Sequence, residues 1–484
     1  MHAPIAAPEW RALQARAPGA LAAAEPGSAL TVNQLGSLAR ITAARLVEAG
    51  VGRGDRVVVA LPSSLRFVSS YLAVRLCGAV LVNVPWQWRH ELLAVADETE
   101  ARAVILDERV DRSILQQLAP RAVAPAWLPE EADESVVETQ ASPLAADAVA
   151  WLAYSSGTTS APKGAVHTEE TLRLIADGFV GRYDLGPDDV VLVAAPAGHA
   201  VGFVYGVQLA LTVGCPMVLL PKWDVEECAR VVERHRCTFV AAPTPYLLDV
   251  VEQVERVGAA SFASLRLFLS GGAQVSEALL SRARAALPRT DVSAYYGTSE
   301  CGGVATCPPE APDVKKRTTD GLPLPGMEVR LDDGELLVRG RQLATRYWRG
   351  AESWRFRDDG WFETGDEATL DADGYIRILG RLDDLIVRGG VNVSPSAVEE
   401  VLLGHSRLRE VAVVGAPDVR LGERVAAVVV ADGPISLDDL REHCQAEGLA
   451  KVMWPEIVLP VDALPRSPSG KIMRAELRRR LADA

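Results

Sequence analysis

The chain lacks closely spaced cysteines. Its seven cysteines, at positions 77, 215, 228, 237, 301, 307 and 444, are scattered, odd in number and without a C-x-x-C pair. Neither a zinc site nor a disulfide framework is expected, and reduced, mostly buried thiols fit best. The Gly-Lys-Ser/Thr end of a Walker A loop is also missing. There is no basic excess: 50 Lys and Arg face 64 Asp and Glu, for a formal net charge of -14. That argues against non-specific nucleic-acid binding. No internal repeat is visible, and no basic, apolar, small-residue signal segment opens the chain, so a cytoplasmic location is expected. Long apolar runs are rare. Residues 200–221 carry no charge, but Gly202, Gly206, Gly214 and Pro216 interrupt them and Gln208 lies inside. A buried helix over 199–213 followed by a buried strand over 216–220 reads better than a membrane span.

What is present is length and apolar content: 484 residues, 49% apolar, enough for several core-sized units. Residues 30–106 alternate helical patterns with short apolar runs at 57–61, 79–83 and 103–106. The alternation resumes over 190–269, with apolar runs at 191–193, 217–220, 239–240 and 267–269. Apolar strands separated by helices imply parallel sheets covered on both faces. From 326 to 379 the texture changes to short alternating strands broken by Gly and Asp-Gly turns, which suggests a small antiparallel unit. Beyond residue 383 the pattern is that of a compact α+β module ending in a basic helix. The expected class is α/β, with two parallel-type α/β subdomains, a small β unit and a small α+β C-terminal module.

The richest stretch is residues 154–164, YSSGTTSAPKG. Glycine lets backbone N–H groups approach an anion, hydroxyls donate hydrogen bonds, and lysine adds a mobile positive charge. Ser155, Ser156, Gly157, Thr158, Thr159 and Lys163 therefore compose a loop suited to a polyphosphate, leaving the end of an apolar strand. Four further motifs follow in order: Tyr296-Gly297-Thr298-Ser299-Glu300, then 361–366 (WFETGD), 380–384 (GRLDD) and 465–471 (PRSPSGK).

Together these motifs resemble those of the adenylate-forming superfamily, and the resemblance covers nearly the whole chain. It implies an enzyme that binds ATP and Mg²⁺, activates a carboxylic acid as an acyl-adenylate, and passes the acyl group to a nucleophile with release of AMP. It also implies a large domain over residues 1–382 and a small mobile domain over 383–484, with Asp383 at the hinge. Residue by residue, the loop would hold the β- and γ-phosphates and Glu300 would help bind Mg²⁺. Tyr296 would stack on adenine, with Gly271, Gly272 and Ala273 along its edge, and Gly297, Thr298 and Ser299 beside it. Asp366 would accept the ribose hydroxyls and Arg381 would meet the ribose or the phosphates. Lys471 matches the adenylation lysine, whose ammonium can bridge carboxylate and α-phosphate as charge develops.

His199 matches the position bordering the acyl pocket. Ala200, Val201, Gly202, Phe203, Tyr205, Thr244, Gly271, Ala294, Tyr295 and Gly297 should line it. Amino-acid-activating relatives place an Asp near Val201, and dihydroxybenzoate-activating relatives an Asn near Ala200; both are missing here. An ammonium or a catechol would be left unpaired in an apolar slot. The pocket suits an aromatic or alicyclic acid of modest size, and residues 199–252 look most like benzoate- and cyclohexanecarboxylate-type CoA ligases. Coenzyme A is the leading acceptor, its pantetheine arm passing Gly389 and Gly390. A carrier protein or another small nucleophile, such as an amine or nitrite, is the alternative. The small-molecule acid, ATP and the acceptor are the expected partners, with no nucleic acid and no membrane, in a monomer or homodimer.

Two departures from the family pattern stand out. Ser160 replaces the usual Gly of the loop. Met453 and Glu456 replace two basic residues that many CoA ligases carry ahead of the catalytic loop, with Lys451 and Arg388 as the local substitutes.

Overall fold

The computed structural model describes residues 8–88, 90–126, 144–155, 162–349, 355–466 and 472–482. Among them the chain forms four sheets. The first runs in the spatial order Ala103–Leu106, Arg56–Ala60, Val80–Asn83, Val149–Ser155, Lys163–Thr168. Its first four strands are parallel, and the last returns antiparallel to Val149–Ser155 with Ser155 opposite Lys163. The parallel strands are almost wholly Val, Leu, Ile and Ala, as burial on both faces requires.

The second sheet has nine strands. Asp291–Thr298, Leu267–Gly271, Phe239–Pro243, Val191–Val193 and Met217–Leu219 lie side by side and parallel. The hairpin Leu21–Glu25/Ser28–Thr31 extends one edge, and Gly302–Thr306 with Leu322–Pro323 the other. A third sheet is antiparallel: Met327–Asp332, Glu335–Gly340, Phe362–Leu370, Ile376–Arg381. The fourth is built from residues 386–460, with the long hairpin Leu408–Asp418/Gly422–Ala431 at its centre and the helices Pro395–Leu402, Leu437–Ala446 and Arg474–Ala482 around it. Fold class thus follows the expectation: α/β with a small β unit and a C-terminal α+β unit.

The uncharged run over 200–221 is a buried hairpin of helix and strand. Ala200–Gly202 leads into a π-helical stretch, Phe203–Gln208, then Leu209–Val213, and Gly214 at φ +76° ends it. Gln208 is buried there because its side-chain oxygen accepts the Tyr71 hydroxyl at 2.5 Å. Among the described residues no helix is long and apolar enough to cross a membrane. All seven cysteines are free, and all but Cys77 are buried.

Candidate active site

Parallel strands present their carboxyl ends to one side, and ligands of such sheets bind in the crevice outside those ends. Several of the sequence-derived site residues lie at those ends. Ser155 ends the strand Val149–Ser155, Gly271 ends Leu267–Gly271, Thr298 ends Asp291–Thr298, and Thr244 follows Phe239–Pro243. The loop before His199 is stitched across from the first sheet. Asn83 donates to the Ala197 carbonyl at 2.6 Å, and Ser63 donates to Ala195 O at 3.0 Å while accepting from Ala197 N at 2.8 Å. His199 then caps the helix as its first non-helical residue.

Two polar groupings are built on the strand Asp291–Thr298 and the turn that follows it. In the first, Glu300 lies in the turn between the strands Asp291–Thr298 and Gly302–Thr306. Its carboxylate accepts the Tyr347 hydroxyl at 2.8 Å, and its carbonyl accepts Ala344 N at 2.7 Å. Lys163, the first residue of the return strand, places its ammonium 5.8 Å from the centre of the same Tyr347 ring. Lysine and glutamate thus flank one aromatic ring. Thr298 accepts the Cys301 N–H at 3.1 Å and tightens the turn. Gly297 has no alternative here, since a Cβ would lie 2.2 Å from Gly302 O.

The second grouping is Asp366, Arg381 and Tyr296. Asp366 is 5% exposed, and it accepts the Tyr296 hydroxyl at 2.5 Å and Arg381 Nη1 at 3.1 Å. Arg381 also donates to the Thr364 carbonyl at 3.1 Å. Burial, with Asp366 beside it, pushes the Tyr296 phenol well above its ordinary range, so it remains a donor at neutral pH. Asp383 follows in a 3₁₀ turn with its side chain 68% exposed, 3.5 Å from Arg355 and 3.8 Å from Arg381. Asp384, next to it, pairs with Arg478 of the terminal helix at 2.9 Å.

The structure divides the expected lining of the acyl slot. Ala200, Val201 and Thr244 are half-buried, and Gly272 and Ala273 are exposed, with Gly272 at φ +77° and Ala273 O accepting the Thr244 hydroxyl at 3.3 Å. Phe203 and Ala294 are core residues instead. Phe203 is fully buried against Phe67, Tyr71 and Trp151, and Ala294 lies on the opposite face of its strand from Tyr295. Tyr205 and Tyr295 pack edge-on at 5.4 Å, with Phe179 completing the cluster. Gly202 and Gly271 are not open volume. A Cβ on Gly202 would lie 2.3 Å from Ala195 O, and one on Gly271 2.4 Å from Tyr295 O. Close backbone approach, not substrate space, requires glycine at both.

In the small unit, Gly389 and Gly390 form a two-residue hairpin turn at φ +58° and +82°, between Ile386–Arg388 and Val391–Val393. Arg388 is not available as a substitute cation. Its guanidinium holds Glu456 bidentately at 2.8 and 3.1 Å, with Arg424 at 3.8 Å from the same carboxylate. Lys451 is exposed. Ser156, Gly157, Thr158, Thr159 and Lys471 lie outside the described residues. Sequence reasoning missed Tyr347 and His167. His167 follows the loop by a few residues, but nothing in the pattern separates it from a structural core histidine.

Residues 9–348 match the AMP-binding enzyme family and residues 397–471 the AMP-binding enzyme C-terminal domain. The chain is 30% identical over 491 residues to the medium-chain fatty-acid–CoA ligase of Escherichia coli K12, covering 94% of this chain and 86% of that protein. It is 33% identical to a feruloyl-CoA synthase of an Amycolatopsis species, covering 97% and 98%. The o-succinylbenzoate-CoA synthetase of Bacillus subtilis, solved with its acyl-adenylate intermediate, superposes with a TM-score of 0.85 at 27% identity, covering 97% of each chain. A further structure of that enzyme holds ATP and a magnesium ion. The fold is that of an adenylate-forming ligase, and the chain belongs to the AMP-binding enzyme family. It is an AMP-forming acid–CoA ligase, using ATP, Mg²⁺ and CoA.

Proposed function

We propose that the acid is an aromatic or alicyclic carboxylic acid of modest size, activated as its adenylate and passed to CoA. One observation carries the choice of acid. Ala200 and Val201 are half-buried and apolar, and the rings of Tyr205, Tyr295 and Phe179 pack against one another nearby in the chain's core. A ring acid gains from burial there, whereas an ammonium would find no carboxylate partner. The relatives span medium-chain fatty, feruloyl and o-succinylbenzoyl acids, so ring acids fall within the range of the family.

The residues divide the work as follows. Lys163, with the loop hydroxyls of Ser155, Ser156, Thr158 and Thr159 and the Gly157 backbone, holds the β- and γ-phosphates. A single carboxylate suits Mg²⁺, which usually takes one or two carboxylates and completes its shell with phosphate oxygens and water. Glu300 is that carboxylate, oriented by Tyr347, and would hold a Mg²⁺ whose charge would offset that of the phosphates. Tyr296 presents its ring to adenine while its hydroxyl fixes Asp366, which accepts the ribose hydroxyls beside Arg381. His199 borders the acid's carboxylate. Lys471 places positive charge where carboxylate oxygen and α-phosphate meet, lowering the barrier to the first step. Asp383 is the hinge between residues 1–382 and 383–484, and Gly389 and Gly390 leave a path for the pantetheine arm.

The test is a pyrophosphate-release screen over carboxylic acids, with and without CoA. Benzoate- and cyclohexanecarboxylate-like acids should lead straight-chain fatty acids and α-amino acids. A preference for either of the latter two refutes the choice of acid. Acyl-adenylate that turns over no faster with saturating CoA points instead to a carrier protein or a small amine-like nucleophile.

A further inference from the structure

His167 lies four residues beyond Lys163 on the return strand and is fully buried. Its ring stacks on Trp151 of the outgoing strand, with centroids 4.7 Å apart and planes 23° apart. Trp151 is itself fixed, donating Nε1–H to Asn83 at 2.6 Å. His167 Nε2 is 2.8 Å from the Ser299 carbonyl oxygen. A carbonyl only accepts, so Nε2 carries the proton. Burial holds the ring neutral, depressing its pKa from 6.5 to about 4, which leaves Nδ1 an acceptor 3.3 Å from the Thr171 hydroxyl, whose proton it shares with the Thr168 carbonyl at 3.2 Å. That hydroxyl is in turn part of the cap of the helix Glu169–Tyr183, reciprocally bonded with Thr168.

The Ser299 carbonyl belongs to the peptide that enters Glu300. We propose that His167 is a positioning residue, pinning this peptide so that the Glu300 carboxylate stays on the hydroxyl of Tyr347, whose ring also meets Lys163. Three ties then fix Glu300: His167 before it, Tyr347 on its carboxylate and Ala344 on its carbonyl. All three come from outside the turn's own hairpin. His167 couples the strand that carries the phosphate-loop lysine to the turn that carries the carboxylate. The two charged groups therefore keep a fixed separation, as a preorganised electrostatic site demands. The proposal rests on the reading of Glu300 as the magnesium carboxylate.

The test uses three variants. His167→Phe keeps the ring over Trp151 and removes both nitrogens. His167→Gln keeps a terminal N–H at the reach of Nε2, and His167→Asn falls one bond short. ATP binding is titrated calorimetrically against magnesium, beside thermal midpoints and kcat and KM for pyrophosphate release. His167→Phe should raise the half-saturating magnesium about tenfold, the scale of one lost hydrogen bond, while leaving KM for the acid within about twofold. His167→Gln should restore the magnesium response to within about threefold of wild type, and His167→Asn should not. A folded His167→Phe chain with unchanged magnesium response overturns the proposal. So does a His167→Gln chain no better than His167→Asn, the comparison that decides should His167→Phe not fold. Wild-type ATP binding that ignores magnesium refutes the reading of Glu300, and the proposal with it.

Discussion

Tyr296→Phe separates the two duties assigned to that side chain. The ring stays, so adenine keeps its stacking surface, and only the hydroxyl that donates to Asp366 at 2.5 Å is lost. Asp366 is nearly inaccessible, so water does not readily replace the donor. Arg381 remains at 3.1 Å, so the carboxylate is not stranded as an unpaired buried charge. The scale is therefore that of a hydrogen bond to a charged group, about 1.5–3 kcal/mol, and not the 3–5 kcal/mol of a broken buried ion pair. Two measurements share that loss. The urea midpoint should fall, and KM for ATP should rise about tenfold or more as the carboxylate reorients away from the ribose, with KM for the acid little changed. An unchanged urea midpoint together with an unchanged KM for ATP would refute the placement of Asp366 as a ribose acceptor held by Tyr296.

Other outcomes follow from the same geometry. Lys471→Ala should cut acyl-adenylate formation by about a hundredfold or more, the scale of one preorganised group, yet spare transfer from supplied acyl-adenylate to CoA; equal loss in both half-reactions would make the lysine structural. Gly271→Ala should lower the thermal midpoint through overpacking of about 1–3 kcal/mol against Tyr295, whose carbonyl would lie 2.4 Å from the new Cβ, and not act as a selective change of substrate. Buried His167 sits neutral against Ser299 O, Thr171 and the nearby Glu300, with its pKa depressed from 6.5 to about 4, so its contribution is complete above pH 6.5 and is lost as pH falls toward 4. That loss reaches about 3 kcal/mol, and acid titrations of His167→Phe should lack it. Lys451→Ala should raise KM for CoA at low salt and leave pyrophosphate release alone, since exposed charge is screened and only uniform binding is lost.

The strands of the two parallel sheets were legible because their apolar runs are short, β-branched and bounded by helix patterns. The expected runs at 103–106 and 191–193 match the observed strands residue for residue. The return strand Lys163–Thr168 was not legible, because it contains Lys, Gly, His and Thr and is held by pairing with Val149–Ser155. The hairpin at residues 21–31 was missed for a related reason: it joins the second sheet through Ala23 and Ala24 beside Met217 and Val218, a pairing far apart in sequence. Site residues inside motifs were readable as chemistry, but their partners were not. Nothing in the sequence shows that Tyr347 meets Glu300 across 47 positions, or that Glu456 occupies Arg388 across 68.

That last pair changes how the small unit is to be understood. Read singly, Glu456 is a missing cation and Arg388 a substitute for it. Read together, they cancel, and Arg424 adds its charge to the same carboxylate from 3.8 Å. A bidentate guanidinium–carboxylate pair of this kind is held by geometry as well as charge, and an incoming phosphate must compete with it. The hairpin next to it needs no charge to do its part. Its two glycines adopt positive φ, and among the described residues nothing but the glycine's own chain neighbours comes within 4 Å of where a Gly390 Cβ would be. On the proposed reading Gly389 and Gly390 leave room for a slender arm such as pantetheine, while beside them Arg388 and Arg424 are balanced by Glu456 and by Asp418, 4.0 Å from Arg424, and offer less to a nucleotide's phosphates than free cations would. If acceptor recognition leans on the arm more than on the charged end, pantetheine lacking the nucleotide should lose less relative to CoA than it would in a ligase with free basic residues at positions 453 and 456.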